Sequence, residues 1–288
     1  MEALANPGSE GFGDTMLRLE TETGWWLVTH PDHARLAGAV AEHWGNAIFA
    51  SPEPREHVLL GVNVHDDGWA LRDARPSVTK QGKPAAFSVE LVGKYSAFEE
   101  IDLQDYLNVR ERAVAEIAAS DAYAALLVSK HTYNLLTARA DRSTIAMEQL
   151  PLLDAFLERQ RELQAELFAA IRGDASFAAE DVTDETIEEH FRLLQAADNM
   201  SLLACVNFGG PATLLHPLKL RDGGVAEVRV TPLGARHFRL EPYPLREDHV
   251  VIEFPARHVE GKTFASSEEL GSAFAAAKVE MVTLTLSA

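Results

Sequence analysis

The sequence predicts a mainly helical protein, a helical bundle preceded by a small β-hairpin and followed by a C-terminal antiparallel β-sheet. Three observations carry that expectation. Apolar residues recur at spacings of three and four between Leu103 and Asn207, the period of a helix with one buried face. Gly209-Gly210-Pro211 then interrupts the pattern. Beyond it the period falls to two, as half-buried strands require.

Each element has its own signal. Residues 1–14 (MEALANPGSEGFGD) are rich in Gly, Pro and Ala and read as a flexible tail. Leu17–Glu22 and Trp25–Thr29 flank Thr23-Gly24 as a hairpin. Asp32 is the expected N-cap of a helix from His33 to about Trp44. A second helix runs from Glu56 to about Val64, and Arg72–Leu91, with two prolines, reads as loop. Leu103–Ala119 and Ala122–Ala138 are helical. A long segment from Ile145 to Ile171 closes at Gly173, its regular helix expected from Pro151, and Thr183 or Asp184 caps a last helix to Asn207. Leu214–Leu220, Val225–Thr231, His237–Glu241 and Val250–Phe254 read as strands, Ser266 opens a short helix to about Ala277, and Met281–Leu286 is a final strand. The expected organisation is a tail (1–14), a helical body with its hairpin (15–208) and a β-rich region (212–288) packed on that body as one unit.

Composition narrows the function. The chain has 288 residues, 47% hydrophobic and 24% charged, enough apolar material for a large core. Its 44 acidic against 26 basic residues give a net charge of −18. That excludes a nucleic-acid duplex or an anionic membrane as the expected partner, because neutralising phosphates needs a basic patch. A small phosphate ester stays open, since one local cation or metal overrules the net charge. Cys205 is the single cysteine, so no internal disulfide and no cysteine-based zinc site can form. No apolar run reaches the ~18 residues of a membrane span, and Glu2 and Glu10 break any signal-peptide pattern, so the expected location is the cytoplasm.

The informative residues are polar ones on apolar faces. In the last long helix, Ile187, Phe191, Leu194, Leu202 and Cys205 form the stripe, and Asp198 fills its gap. In Ala122–Ala138 the stripe Ala124, Leu127, Val128 and Leu135 has His131 in its gap. His33 precedes Leu36 by three on the face of Leu36, Ala37, Val40 and Trp44. His65 and Asp66 lie beside Val58, Val62 and Trp69. Any one of these alone reads as a hydrogen-bonded core residue or a cap. Together, imidazoles and carboxylates on several inward faces match the mixed shell of a hard or borderline ion held between helices. Asp67 is a candidate proton acceptor or, equally, a cap of the turn at Gly68.

These residues stand in the segments HPDHARLAGAVAEHWG, HVLLGVNVHDDGW, LLVSKHTYNLL and LLQAADNMSLLAC. Their order resembles the H…HD…D pattern of the HD-domain metal-dependent phosphohydrolase superfamily. More narrowly, it resembles a bacterial branch described as a domain of unknown function. The resemblance implies an HD-like helical bundle with His33, His65, Asp66 and Asp198 as metal ligands. It makes Asp66 the ligand able to bridge two ions and His131 the extra histidine. Many hydrolytic members place a phosphate-binding Lys where Trp69 stands here, and Lys130 is the candidate to replace its charge. The single extra histidine favours one divalent ion (Mn, Fe, Zn or Ni). The implied activity is hydrolysis of a small phosphate ester or nucleotide by metal-activated water. Asp67 or His131 would move the proton, and Lys130 and Trp69 would contact a small-molecule substrate. Self-association is an open expectation. The alternatives are a non-catalytic ligand-binding or scaffold module on the same body, and a di-iron oxygenase.

Overall fold

The computed structural model describes residues 16–94 and 102–288. The tail expected at residues 1–14 lies outside them. Strands β1 (Leu17–Glu20) and β2 (Gly24–Val28) form the expected hairpin. Helix α1 (His30–Glu42) follows, then α2 (Arg55–Val64), a 3-10 turn at Asp67–Trp69 and the short α3 (Ala70–Asp73). Three longer helices come next: α4 (Leu103–Ala118), α5 (Ala122–Ala138) and α6 (Leu150–Gly173). Helix α7 (Asp184–Cys205) ends the helical half. The remaining elements are β3 (Ala212–Thr213), β4 (Leu218–Lys219), β5 (Val225–Ala226), β6 (Arg229–Gly234), β7 (His237–Glu241), β8 (His249–Glu260), α8 (Ser267–Ala276) and β9 (Val279–Ser287).

Local chemistry sets most boundaries. Thr183 and Ser266 cap α7 and α8 by accepting from the backbone N–H three residues on. Pro151 stands in the first turn of α6, where its missing N–H is harmless. Helix α1 begins three residues before the expected start. Thr29, not Asp32, is its N-cap, accepting from the Asp32 N–H at 3.1 Å, and Pro31 is accommodated in the first turn.

The expectation of a mainly helical, HD-like bundle with a simple C-terminal antiparallel sheet is overturned. Half of the described residues are helical, and the strands form one curled, mixed seven-stranded sheet in the order β1-β2-β8-β9-β7-β6-β3, beside a two-stranded β4-β5 ribbon. The hairpin is not a separate appendage. A two-stranded hairpin is marginal alone, and here β2 pairs antiparallel with β8, so the first and last parts of the chain share a sheet. Gly24 permits that approach, because a Cβ there would lie 1.9 Å from the Val259 carbonyl oxygen. Strands β7 and β9 run parallel, which makes the sheet mixed.

One face of the sheet, through Val250, Ile252, Phe254 and Leu284, joins α1, α2, α5 and α7 in the largest apolar core. Trp25, Leu27, Val259, Leu270 and Phe274 form a second core between hairpin and α8. Helix α1 therefore lies between the sheet and α7. No helix among the described residues is long and apolar enough to cross a membrane.

Candidate metal centre

Four helical segments bring polar side chains to one point. His33 lies in the first turns of α1, His65 and Asp66 follow the end of α2, His131 lies midway along α5, and Asp198 lies in α7. All five are buried, each below 8% exposed. His33 Nε2 lies 3.1 Å from Asp66 Oδ2, and His33 Nδ1 lies 3.9 Å from Asp198 Oδ1. His65 Nε2 lies 3.8 Å from Asp66 Oδ2 and 3.5 Å from Asp198 Oδ1. Ligands bonded to one ion at ~2.1 Å stand roughly 3.0–3.4 Å apart; the His33–Asp66 pair lies in that range and the other three distances are wider. Two overlapping trios have their ligand atoms within 4.8 Å of one another: His33, His65 and Asp66, and His65, His131 and Asp198.

The hydrogen bonds fix which atoms face inward. Ser201 Oγ donates its one proton to the Asp198 backbone carbonyl (2.8 Å). Hence His33 Nδ1–H must donate to Ser201 Oγ (2.8 Å), and a neutral His33 presents a bare Nε2 to the Asp66 carboxylate. Similarly, His65 Nδ1–H donates to the Val62 carbonyl (2.7 Å), while its buried Nε2 has no hydrogen-bond partner among the described residues. Two lone pairs that converge on carboxylates need a proton or a metal between them. Both trios use the same His65 nitrogen, and one lone pair serves one ion. Gln195 Nε2–H donates to His131 Nδ1 (2.7 Å), so the neutral His131 carries its proton on Nε2.

Charge states follow from burial and neighbours. Burial opposes the charged form of Asp66, but the Arg110 guanidinium and His65 outweigh it and hold Asp66 well below the usual carboxylate range. Asp198 is lowered likewise: burial opposes its charge, and the neighbouring His65, 3.5 Å away, prevails. Burial disfavours a charged His65, yet Asp66 and Asp198 raise it to about 9. His33 and His131 are pushed down by burial, His131 to about 3.

The chain matches the family described as "Protein of unknown function (DUF3891)" over residues 16–261. It belongs to that family. No curated protein and no solved structure is significantly similar to it. In this DUF3891 chain, the expected ligands His33, His65, Asp66 and Asp198 come together, and His131 joins them.

The other expected site residues divide. Trp69 lines a crevice against His65 and Asp66, with its ring 5.2 Å from that of Tyr106. Asp67 turns one oxygen to Arg35 at the surface (2.8 Å), while its Oδ1 is buried without a partner among the described residues. Lys130 does not reach the cluster. One residue along a helix is a turn of about 100°, so beside His131 it faces Glu188 (3.1 Å) and the Phe191 ring.

Sequence reasoning missed Arg110 and Asp73, the partner of His30. Arg110 Nη1 donates to Asp66 Oδ1 at 2.7 Å from a buried position on α4. Its signal was available: Leu103, Leu107 and Val114 form a stripe whose gap is Arg110, the same logic that marks Asp198. Asp73 accepts from the His30 backbone N–H (2.5 Å) and lies 3.0 Å from His30 Nδ1. That pair places the His30 ring 6.1 Å from His33 and 5.3 Å from Trp69.

Proposed function

We propose that this DUF3891 chain is a metal-dependent hydrolase of a small phosphate ester or nucleotide. The observation that carries the reading is the opposition of bare His33 Nε2 and ionised Asp66 Oδ2 at 3.1 Å in a buried site, with Asp198 and His65 beside them. The ligand order is that of the HD-type phosphohydrolases the sequence resembles; the likeness lies in the ligand set, not in the whole fold. A divalent ion bound there would supply Lewis-acid polarisation of a phosphoryl oxygen and an activated water.

The protein's own groups have distinct tasks in this reading. His33, His65, Asp66 and Asp198 hold the ion, and Ser201, the Val62 carbonyl and Arg110 fix their orientation. His131 stays neutral, so it offers a hydrogen bond from Nε2–H rather than a proton. Asp67, through the oxygen that Arg35 does not hold, is the group assigned to accept the proton from water. The body of a small substrate has room nearby. A cavity of about 460 Å³, lined by Leu27, Pro31, Asp73, Arg257 and Phe274 among others, adjoins the His30–Asp73 pair.

The test is turnover of a panel of phosphate monoesters and nucleotides by Mn²⁺-loaded protein, beside Asp66→Ala. The reading expects metal-dependent release of phosphate from at least one of them, abolished in the variant. Release that survives Asp66→Ala would overturn it. A second reading, a ligand-binding module without turnover, is favoured by the near-complete burial of all five residues. It expects tight ligand binding and no product.

A further inference from the structure

Natural proteins pair more than nine-tenths of their buried polar atoms, so several unpaired ones in one place need a cause. Four such atoms belong to residues lining a single crevice beside the cluster: His65 Nε2, Trp69 Nε1, Arg110 Nε and Thr132 Oγ1. None has a hydrogen-bond partner among the described residues. The set is rich in donors. An indole N–H and a guanidinium N–H can only donate, and a threonine hydroxyl can donate. The fourth atom, His65 Nε2, is turned towards Asp198 at 3.5 Å.

Arg110 is placed between two tasks. Its Nη1 is committed to Asp66, and its Cζ lies 4.9 Å from the Trp69 ring centroid and 5.4 Å from that of Tyr106. The aromatic rings hold the guanidinium plane while Nε remains unspent. The result is a fixed positive charge one carboxylate away from the proposed ion. Gly68 brings the walls together: a Cβ there would lie 2.7 Å from Ala113 Cβ, so only glycine lets the 67–69 turn lie this close to α4. The crevice as folded has no room for a water molecule, so its donors are not a hydration site in this state. An oxygen that reaches them must part the turn from α4.

We propose that this crevice is an oxyanion subsite, in which Arg110, Trp69 and Thr132 receive one anionic oxygen of a phosphate or carboxylate held at the metal centre. The inference rests on the metal-centre reading above. Donors left without partners in a buried site gain full, charge-assisted hydrogen bonds when an oxyanion reaches them, which offsets the cost of parting the turn from α4. A neutral oxygen could also accept from these donors, but only an anionic one forms the stronger, charge-assisted bonds with Arg110.

The experiment is calorimetric titration of the Mn²⁺-loaded full chain with inorganic phosphate and, separately, with acetate. The parent, Thr132→Val and Trp69→Phe are compared, each first shown to be folded by its melting transition. Thr132→Val is nearly isosteric and removes one donor; Trp69→Phe keeps an aromatic ring and removes another. The parent is expected to bind one of the two anions, and preference for phosphate or acetate names the ligand class. Each variant should weaken that anion about tenfold while keeping its Mn²⁺ affinity. Unchanged anion affinity in both variants, with Mn²⁺ still bound, would overturn the subsite and leave the metal reading intact. A Mn²⁺-loaded parent that binds neither anion would overturn it too. A parent that binds no Mn²⁺ would bring down both.

Discussion

Helix α7 carries two buried polar sites eight residues apart, and they differ in kind. At His190, the Tyr123 hydroxyl lies 2.7 Å from Nδ1 and donates its own proton to the Asp181 carbonyl (3.0 Å). Burial alone pushes His190 down to about 4. At Asp198, three imidazoles surround a carboxylate, and His65 Nε2 beside it lacks a hydrogen-bond partner among the described residues. Burial is common to both sites; the company differs, since His190 Nδ1 meets a hydroxyl whereas His65 Nε2 faces two carboxylates.

The largest expected effect separates the two sites by metal. Mn²⁺ at about 1,000 times its dissociation constant should raise the unfolding free energy of the parent by about 4 kcal/mol. Urea melts should show that gain in His190→Gln and not in Asp66→Ala. Loss of the gain in His190→Gln would break the comparison.

Acid sharpens it from the other side. The folded pKa of His190 lies below its ordinary 6.5, so the unfolded chain takes up the proton first. Stability from this group is intact above pH ~6.5 and falls as pH drops to about 4, by up to about 3 kcal/mol. The difference between parent and His190→Gln, from urea melts at pH 7 and 4.5, should shrink in that direction.

Smaller effects of opposite sign follow at single hydroxyls. Tyr123→Phe strands the Asp181 carbonyl and His190, costing about 1–2 kcal/mol. Thr132→Val removes a hydroxyl that has no partner among the described residues, and should stabilise the metal-free protein by about 1 kcal/mol. A destabilised Thr132→Val would mean that the hydroxyl is already satisfied. Smallest of all, Lys130→Ala should change Mn²⁺ and phosphate affinity by less than about twofold, because its exposed ion pair with Glu188 lies off the site.

What was legible in the sequence was what repeats locally. The gaps at Asp198 and His131 in their stripes, and the position of His33 before Leu36, pointed to one interior because helical period alone decides which side chains share a face. The same rule applied to α4 would have found Arg110, which instead reads as one charge among Arg110, Glu111 and Arg112. Lys130 was misplaced by nearness in sequence to His131, although adjacent helical residues face different ways. The sheet was not legible as a whole. Alternation located β2, β8 and β9, but the pairing of β2 with β8 and the parallel run of β7 with β9 join residues far apart in the chain, and period two carries no information about partners. The start of α1 was misjudged for a local reason: Thr29 and Asp32 are both good caps, and the Asp73 carboxylate on the His30 N–H favours the earlier one.

The measurement that bears most directly on the central claim is metal analysis of the purified, untagged parent beside Asp66→Ala and Asp198→Ala. All three would be reconstituted with Mn²⁺, Fe²⁺, Zn²⁺ or Ni²⁺ and then desalted. The account predicts close to one equivalent of one of these metals in the parent and almost none in either variant, with all three folded by their melting curves. No retained metal in the parent, or equal metal in parent and variants, would contradict it and leave the cluster a hydrogen-bonded core.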